Sequence, residues 1–195
     1  MKFREIRDPL LRLLQDAQSA EDLLSNGDTQ FARRAYVRCL FAFIEGAVWI
    51  LKYACRNGKT PKGVLPVSPG EYALLGDVSY ELKSSGELSE QPKFLRLQEN
   101  VKFCAVLFNR LFGSKIDLKV GSGDWQKFIT AIGIRNRITH PKHLSDFDIT
   151  DEELKICQDT CLWFNDHVSE AVNGVVTSST KAISEKKGPT SGSSQ

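Results

Sequence analysis

The stretch Gly133-Ile134-Arg135-Asn136-Arg137-Ile138-Thr139-His140-Pro141-Lys142-His143 gathers three basic side chains, an amide and two of the chain's three histidines. Imidazole exchanges its proton nearest neutral pH, and a guanidinium offers phosphate oxygens a planar fork of donors. Together they suit acid–base chemistry at a phosphate ester. The stretch closes a segment with helical periodicity, in which Trp125, Phe128, Ile129 and Ile132 define a buried side. Continuing the same steps of about 100° places Arg135, Asn136 and Thr139 on or beside that side. Arg137 joins Gln126 and Thr130 on the polar side, where it is expected in solvent. Arg135 points where a charge needs a partner. His140 precedes Pro141, which takes it out of helical dihedrals and ends the helix. On an unbroken helix Arg135 and His140 would diverge by about 140°. A break at the His-Pro step would let the imidazole swing back towards the arginine's side.

The elements that position this stretch read as helices. Leu10, Leu11, Leu13, Leu14, Ala17, Leu23 and Leu24 keep helical spacing in a first segment, with Pro9 in a first-turn position. Asn26-Gly27-Asp28 is a turn. A central helix is expected over about 29–57, apolar almost all round, as for an element surrounded by other helices or by a partner subunit. Arg34, Arg38, Glu45, Lys52 and Arg56 project within about 40° of one another along it. This charged stripe is either a solvated edge or the lining of a cleft or dimer seam, with Glu45 orienting an arginine from another helix. The proline- and glycine-bearing stretch 58–70 is a loop. A shorter helix is expected from Pro69 to about Ser84, followed by a polar connection over 85–92. The next helix, near 93–112, carries Phe94, Leu97, Val101, Cys104, Ala105, Phe108, Leu111 and Phe112 on one side, and Gly113 stops it. Ile116 to Val120 alternates but has no partner strand in sight, so an extended loop is expected. Gly121-Ser122-Gly123-Asp124 caps the helix of the opening stretch. Thr150 and Glu153 form a capping box for the last helix, whose inward face is Leu154, Cys157, Cys161, Phe164 and Val168.

The expected fold is an all-α bundle of five to six helices over residues 1–174. From 175 to 195 the chain is Ser-, Thr-, Lys- and Gly-rich, so a disordered tail is expected there. Hydrophobic residues make up 41% and charged residues 26%, an ordinary balance for a soluble domain. The net charge of +2 supplies no bulk field for a polyanion, so nucleic acid would have to be met locally. Five cysteines without Cys-x-x-Cys spacing point to reduced, buried thiols. The run from Cys39 to Leu51, interrupted by Glu45 and Gly46, is too short to span a bilayer. Met1 to Glu5 lacks the apolar run of a signal peptide, so a cytoplasmic protein without membrane association is expected. His140 and His143 make His-x-x-His, but no nearby cysteine or carboxylate completes a metal set. His167 is expected to be exposed, and Trp125 and Trp163 to be core aromatics.

Arg135-Asn136-Arg137-Ile138-Thr139-His140 resembles the hallmark of the HEPN superfamily: an arginine, a polar residue directly after it, and a histidine four to six residues beyond the arginine, near a helix end. The position of the motif late in an all-α chain, with one further helix after it, agrees. The resemblance covers about residues 3–173 and implies a metal-independent endoribonuclease without a cofactor, of the kind found as toxins and antiviral effectors. It implies RNA as substrate, a homodimer whose motifs face each other, and an antitoxin or defence-system partner protein. Arg135 and His140 would be catalytic, with Asn136 holding phosphate or orienting His140. Glu45 and Lys142 would support them. Cleavage by the ribose 2′-hydroxyl needs a base near neutral pH and a cation for the charge developing on phosphate, which these residue types supply. Two other readings compete. A non-catalytic HEPN-like module would bind a nucleotide, RNA or a protein. In a plain helical scaffold, Arg135 would be a structural arginine paired with Glu45 or with an acidic residue of the last helix, and His140 a helix C-terminal cation.

Overall fold

A computed structural model of the chain describes residues 4–60, 63–64 and 66–186. It is an all-α bundle. Helix α1 (Arg4–Asn26) packs along α2 (Gln30–Asn57), the central helix of the core. Thr29 caps α2 by accepting the Ala32 N–H, as the turn before it requires. Val37, Leu40, Ile44, Ala47 and Ala54 are fully buried along α2, because α4 (Leu97–Phe112), α5 (Gly123–Thr139) and α6 (Asp151–Lys186) also pack on it. An element covered on most sides has to be apolar round most of its circumference.

Two short antiparallel hairpins decorate the bundle, β1 (Lys59–Thr60) with β2 (Gly63–Val64) and β3 (Val78–Leu82) with β4 (Leu88–Pro92). The second corrects the expectation of a helix to Ser84. Helix α3 (Pro69–Leu75) is only two turns long, and Val78-Ser79-Tyr80-Glu81-Leu82 alternates as a strand paired from Val78↔Pro92 to Leu82↔Leu88. Gly86, at φ 83°, closes the turn with its N–H donated to the Lys83 carbonyl. Phe94, expected on an apolar helical face, precedes α4 and is 84% exposed.

Thr150 and Glu153 make the reciprocal capping box of α6. The tail expected to be disordered from residue 175 is helical through Lys186; residues 187–195 lie outside the described residues. Val175 is 6% exposed, and Ser178 donates its hydroxyl to the Phe112 carbonyl at 2.6 Å. Gly174 permits this docking, since a Cβ there would stand 3.2 Å from Ser114 Cα. Composition missed it because Val175 and Ser178 stand among Ser, Thr and Lys residues whose average character is polar. Truncation after Asn173 is expected to cost about 2–4 kcal/mol from the lost burial and hydrogen bond. Thermal unfolding should show a melting temperature lower by roughly 5–15 °C; an unchanged melting temperature would mean that these turns carry no stability.

No helix among the described residues is long and apolar enough to cross a membrane. All five cysteines are free, and burial pushes the Cys104 and Cys157 thiols up to about 12. His167 is not exposed as expected: it is half-buried, edge-on to Trp163 at 4.7 Å, and burial lowers its pKa.

Candidate active site at the end of helix α5

Ser122 starts α5 by accepting the Trp125 N–H. The buried face then runs Trp125, Phe128, Ala131, Ile134 and Ile138, a quarter-turn from the one expected, with Ile129 and Ile132 only half-buried. That rotation decides what the motif residues see. Arg135 stands beside the core, its side chain 23% exposed, whereas Asn136 and His140 are exposed.

Arg135 is held from two sides. Its Nη2 donates to Glu45 Oε1, from the middle of α2. Its guanidinium carbon lies 5.2 Å from the centroid of the Phe41 ring, one turn earlier on α2. Its Nε is buried and makes no hydrogen bond. Glu45 thus orients an arginine from another helix, as one reading of the α2 stripe expected. The pair also leaves the motif arginine partly neutralised.

The stripe itself divides. Arg34 turns towards the connection between α5 and α6, donating to the Phe147 carbonyl at 3.0 Å, and Arg56 covers the Tyr72 ring at 4.6 Å. Arg38 is solvated. Lys52 is buried, and its ammonium pairs with Asp77 and reaches Asn100 Oδ1 at 3.4 Å. Asp77 had been expected inside a helix; it stands between α3 and β3 with φ 54°, a left-handed conformation that Asp tolerates better than most residues.

Glu45 and Lys52, from the middle of the stripe, line an open cleft of about 480 Å³ together with Trp49, Asp77, Phe94 and Arg135. His140, Asn136 and Lys142 do not line it. The helix ends at His140, with φ −125° and ψ 59°, and its N–H donates to the Asn136 carbonyl at 2.9 Å. One chain therefore brings Arg135 to the cleft and leaves Asn136 and His140 on the surface at the end of the same helix.

Arg137 is not solvated as expected. It donates to the carbonyls of Asp148 (2.8 Å) and Asp146 (3.3 Å) and pairs with Glu153 at 2.7 Å. Arg33 joins it by donating to the Ile149 carbonyl and to Asp28 and Asp151. The loop behind His140 is consequently clamped from two helices. Asp146 accepts the N–H groups of Lys142 (2.7 Å) and His143 (2.9 Å), and these bonds hold its carboxyl below the usual carboxylate range. The side chains of Lys142 and His143 remain exposed.

Comparison with protein-family models, curated proteins and solved structures finds no match. The function has to be read from the residues. Among the described residues no three His, Cys, Asp or Glu side chains gather as a metal-binding group. Sequence reasoning missed Trp49, Asp77, Phe94 and Asn100. The available signal was the alternation from Val78 to Leu82, which would have ended α3 early and put Asp77 in a turn.

Proposed function

We propose that the chain is a cytoplasmic, metal-independent endoribonuclease of the HEPN kind, with Arg135, Asn136 and His140 as its active residues. The observation that carries this reading is Arg135: a motif arginine fixed by Glu45 and Phe41 at an open cleft, with an unpartnered Nε. In the reaction, the ribose 2′-oxygen bonds to the adjacent phosphorus as its proton passes to a base. The bond to the 5′-oxygen breaks, and that oxygen takes a proton from an acid. The products carry a 2′,3′-cyclic phosphate and a 5′-hydroxyl. Imidazole serves as base or acid near neutral pH, and the guanidinium steadies charge on the non-bridging oxygens. The exposed positions of Asn136 and His140 suit a homodimer in which the second copy's histidine completes the site. Such an enzyme would be a toxin or defence effector, restrained by a partner protein.

The test is cleavage of single-stranded RNA by purified protein in EDTA. Wild type should cleave, and His140→Ala should be slower by about 10²–10⁴-fold, the range for general acid–base catalysis. Since His140 is exposed, the substitution leaves the fold intact. Equal rates for the two proteins would end the proposal. The placement of His140 outside the cleft favours a second reading, a non-catalytic module that holds a nucleotide or RNA end at Arg135. It predicts phosphate-dependent binding lost in Arg135→Ala without any cleavage product.

A further inference from the structure

We infer that the cleft beside Arg135 is a nucleobase subsite, which accepts one base of a nucleotide whose phosphate sits on Arg135. Its volume of about 480 Å³ falls in the range of pockets for small organic ligands, about 300–1,000 Å³. Its walls include two large aromatic rings with much of their surface in water, Trp49 at 62% exposure, which also stacks on Tyr53 at 5.7 Å, and Phe94 at 84%. Its polar groups are the Lys52–Asp77 and Arg135–Glu45 ion pairs and the Asn100 amide, so donors stand next to acceptors along it. A base is the ligand with that chemistry: two flat apolar faces to stack on rings and an edge carrying N–H donors beside carbonyl or ring-nitrogen acceptors.

The subsite is assembled before any ligand arrives. The Lys93 N–H donates to the Asp77 carbonyl at 2.7 Å, and the Asn100 amide donates to the Leu95 carbonyl at 3.3 Å. These bonds fix the backbone on both sides of Phe94, which keeps the residue at the rim of the cleft. The same Asn100 takes the weaker contact of Lys52, which ties the wall to the polar floor. Preorganisation of this kind lowers the cost of binding. A base paired in a duplex has its edge occupied and its faces stacked, so the ligand is a free nucleotide or an unpaired base of a strand. That the strand is RNA rests on the ribonuclease reading; the base subsite does not.

The test titrates the full chain with the four nucleoside 5′-monophosphates and with ribose 5-phosphate, following Trp49 fluorescence and, in parallel, heat of binding. Trp125 is 5% exposed and Trp163 is packed among aromatic rings, so a quench absent in Trp49→Leu reports the cleft. The expected result is quenching by nucleotides, with at least tenfold tighter binding than ribose 5-phosphate. Phe94→Ala, which removes an exposed ring and leaves folding alone, should lose at least tenfold. Equal affinity for nucleotides and ribose 5-phosphate, or a Phe94→Ala protein within twofold of wild type, overturns the subsite. A single-stranded trinucleotide binding more tightly than the monophosphates assigns the site to a strand, and equal affinity assigns it to a free nucleotide; both uphold the base subsite. RNA cleavage without base-dependent binding overturns the subsite and leaves the ribonuclease reading standing. Base-dependent binding without cleavage does the reverse.

Discussion

Replacing Arg135 with alanine is expected to lower RNA cleavage by about 10²–10³-fold, the loss typical of removing one preorganised charge-stabilising donor. The fold should survive. Arg135 lies in the last turns of α5, and Glu45, its partner, is 50% exposed, so water can solvate the carboxylate left behind. A pair this exposed contributes at most about 1 kcal/mol. Arg135→Lys separates charge from geometry: it keeps the positive charge but loses the planar fork and the stacking on Phe41. Its cleavage should fall nearly as far as that of the alanine variant. Cleavage rates measured on molecules shown to be folded by circular dichroism make the comparison. Wild-type rates in Arg135→Ala would sink the assignment of this residue to the reaction.

Arg137→Ala should show the opposite pattern, a large effect on stability and a far smaller one on cleavage at temperatures well below unfolding. Arg137 supplies two hydrogen bonds to backbone carbonyls and an ion pair to Glu153, with both side chains about one-quarter exposed. Losing charge-assisted bonds to carbonyls that no other donor replaces costs about 2 kcal/mol once partial exposure is discounted. For a chain of this length that is a fall in melting temperature of roughly 4–8 °C. Arg137→Lys should recover little of it, because one ammonium cannot span Asp146, Asp148 and Glu153 together. A melting temperature within 1–2 °C of wild type, about the width of a neutral surface change, would show that the clamp is dispensable. Two arginines two residues apart thus separate by experiment, although the motif presents them side by side.

That separation also marks where one-dimensional reasoning stops. Helical periodicity was enough for the existence of α1, α2, α4, α5 and α6, though not for the face α5 buries or the last turns of α6, and local residue types were enough for the cap at Thr150 and the helix end at His140. These depend on local spacing and on the hydrogen-bonding needs of helix ends, which neighbouring residues supply. Periodicity also showed Arg135 needing a partner and offered Glu45 as one candidate, although Glu45 proves half-exposed and only the arginine stands where an unpaired charge is costly. It erred over Arg137, whose partners come from a loop and a helix cap folded back onto α5. It erred over the segment 76–92, where alternation favours a hairpin once Pro69–Leu75 is capped as a short helix of its own.

The cleft belongs wholly to the tertiary structure. Trp49, Lys52, Asp77, Phe94 and Asn100 come from α2, two connections and α4, and no spacing along the chain announces their meeting. Lys52 can be buried only because Asp77, held in a left-handed turn, stands opposite it. The chain alone marks Arg135, Asn136 and His140 as residues of the right chemical types at one helix end. Which of them faces a cleft, and what lies beside it, follows from the rotation of α5 against α2, a matter of how Ile134 and Ile138 pack.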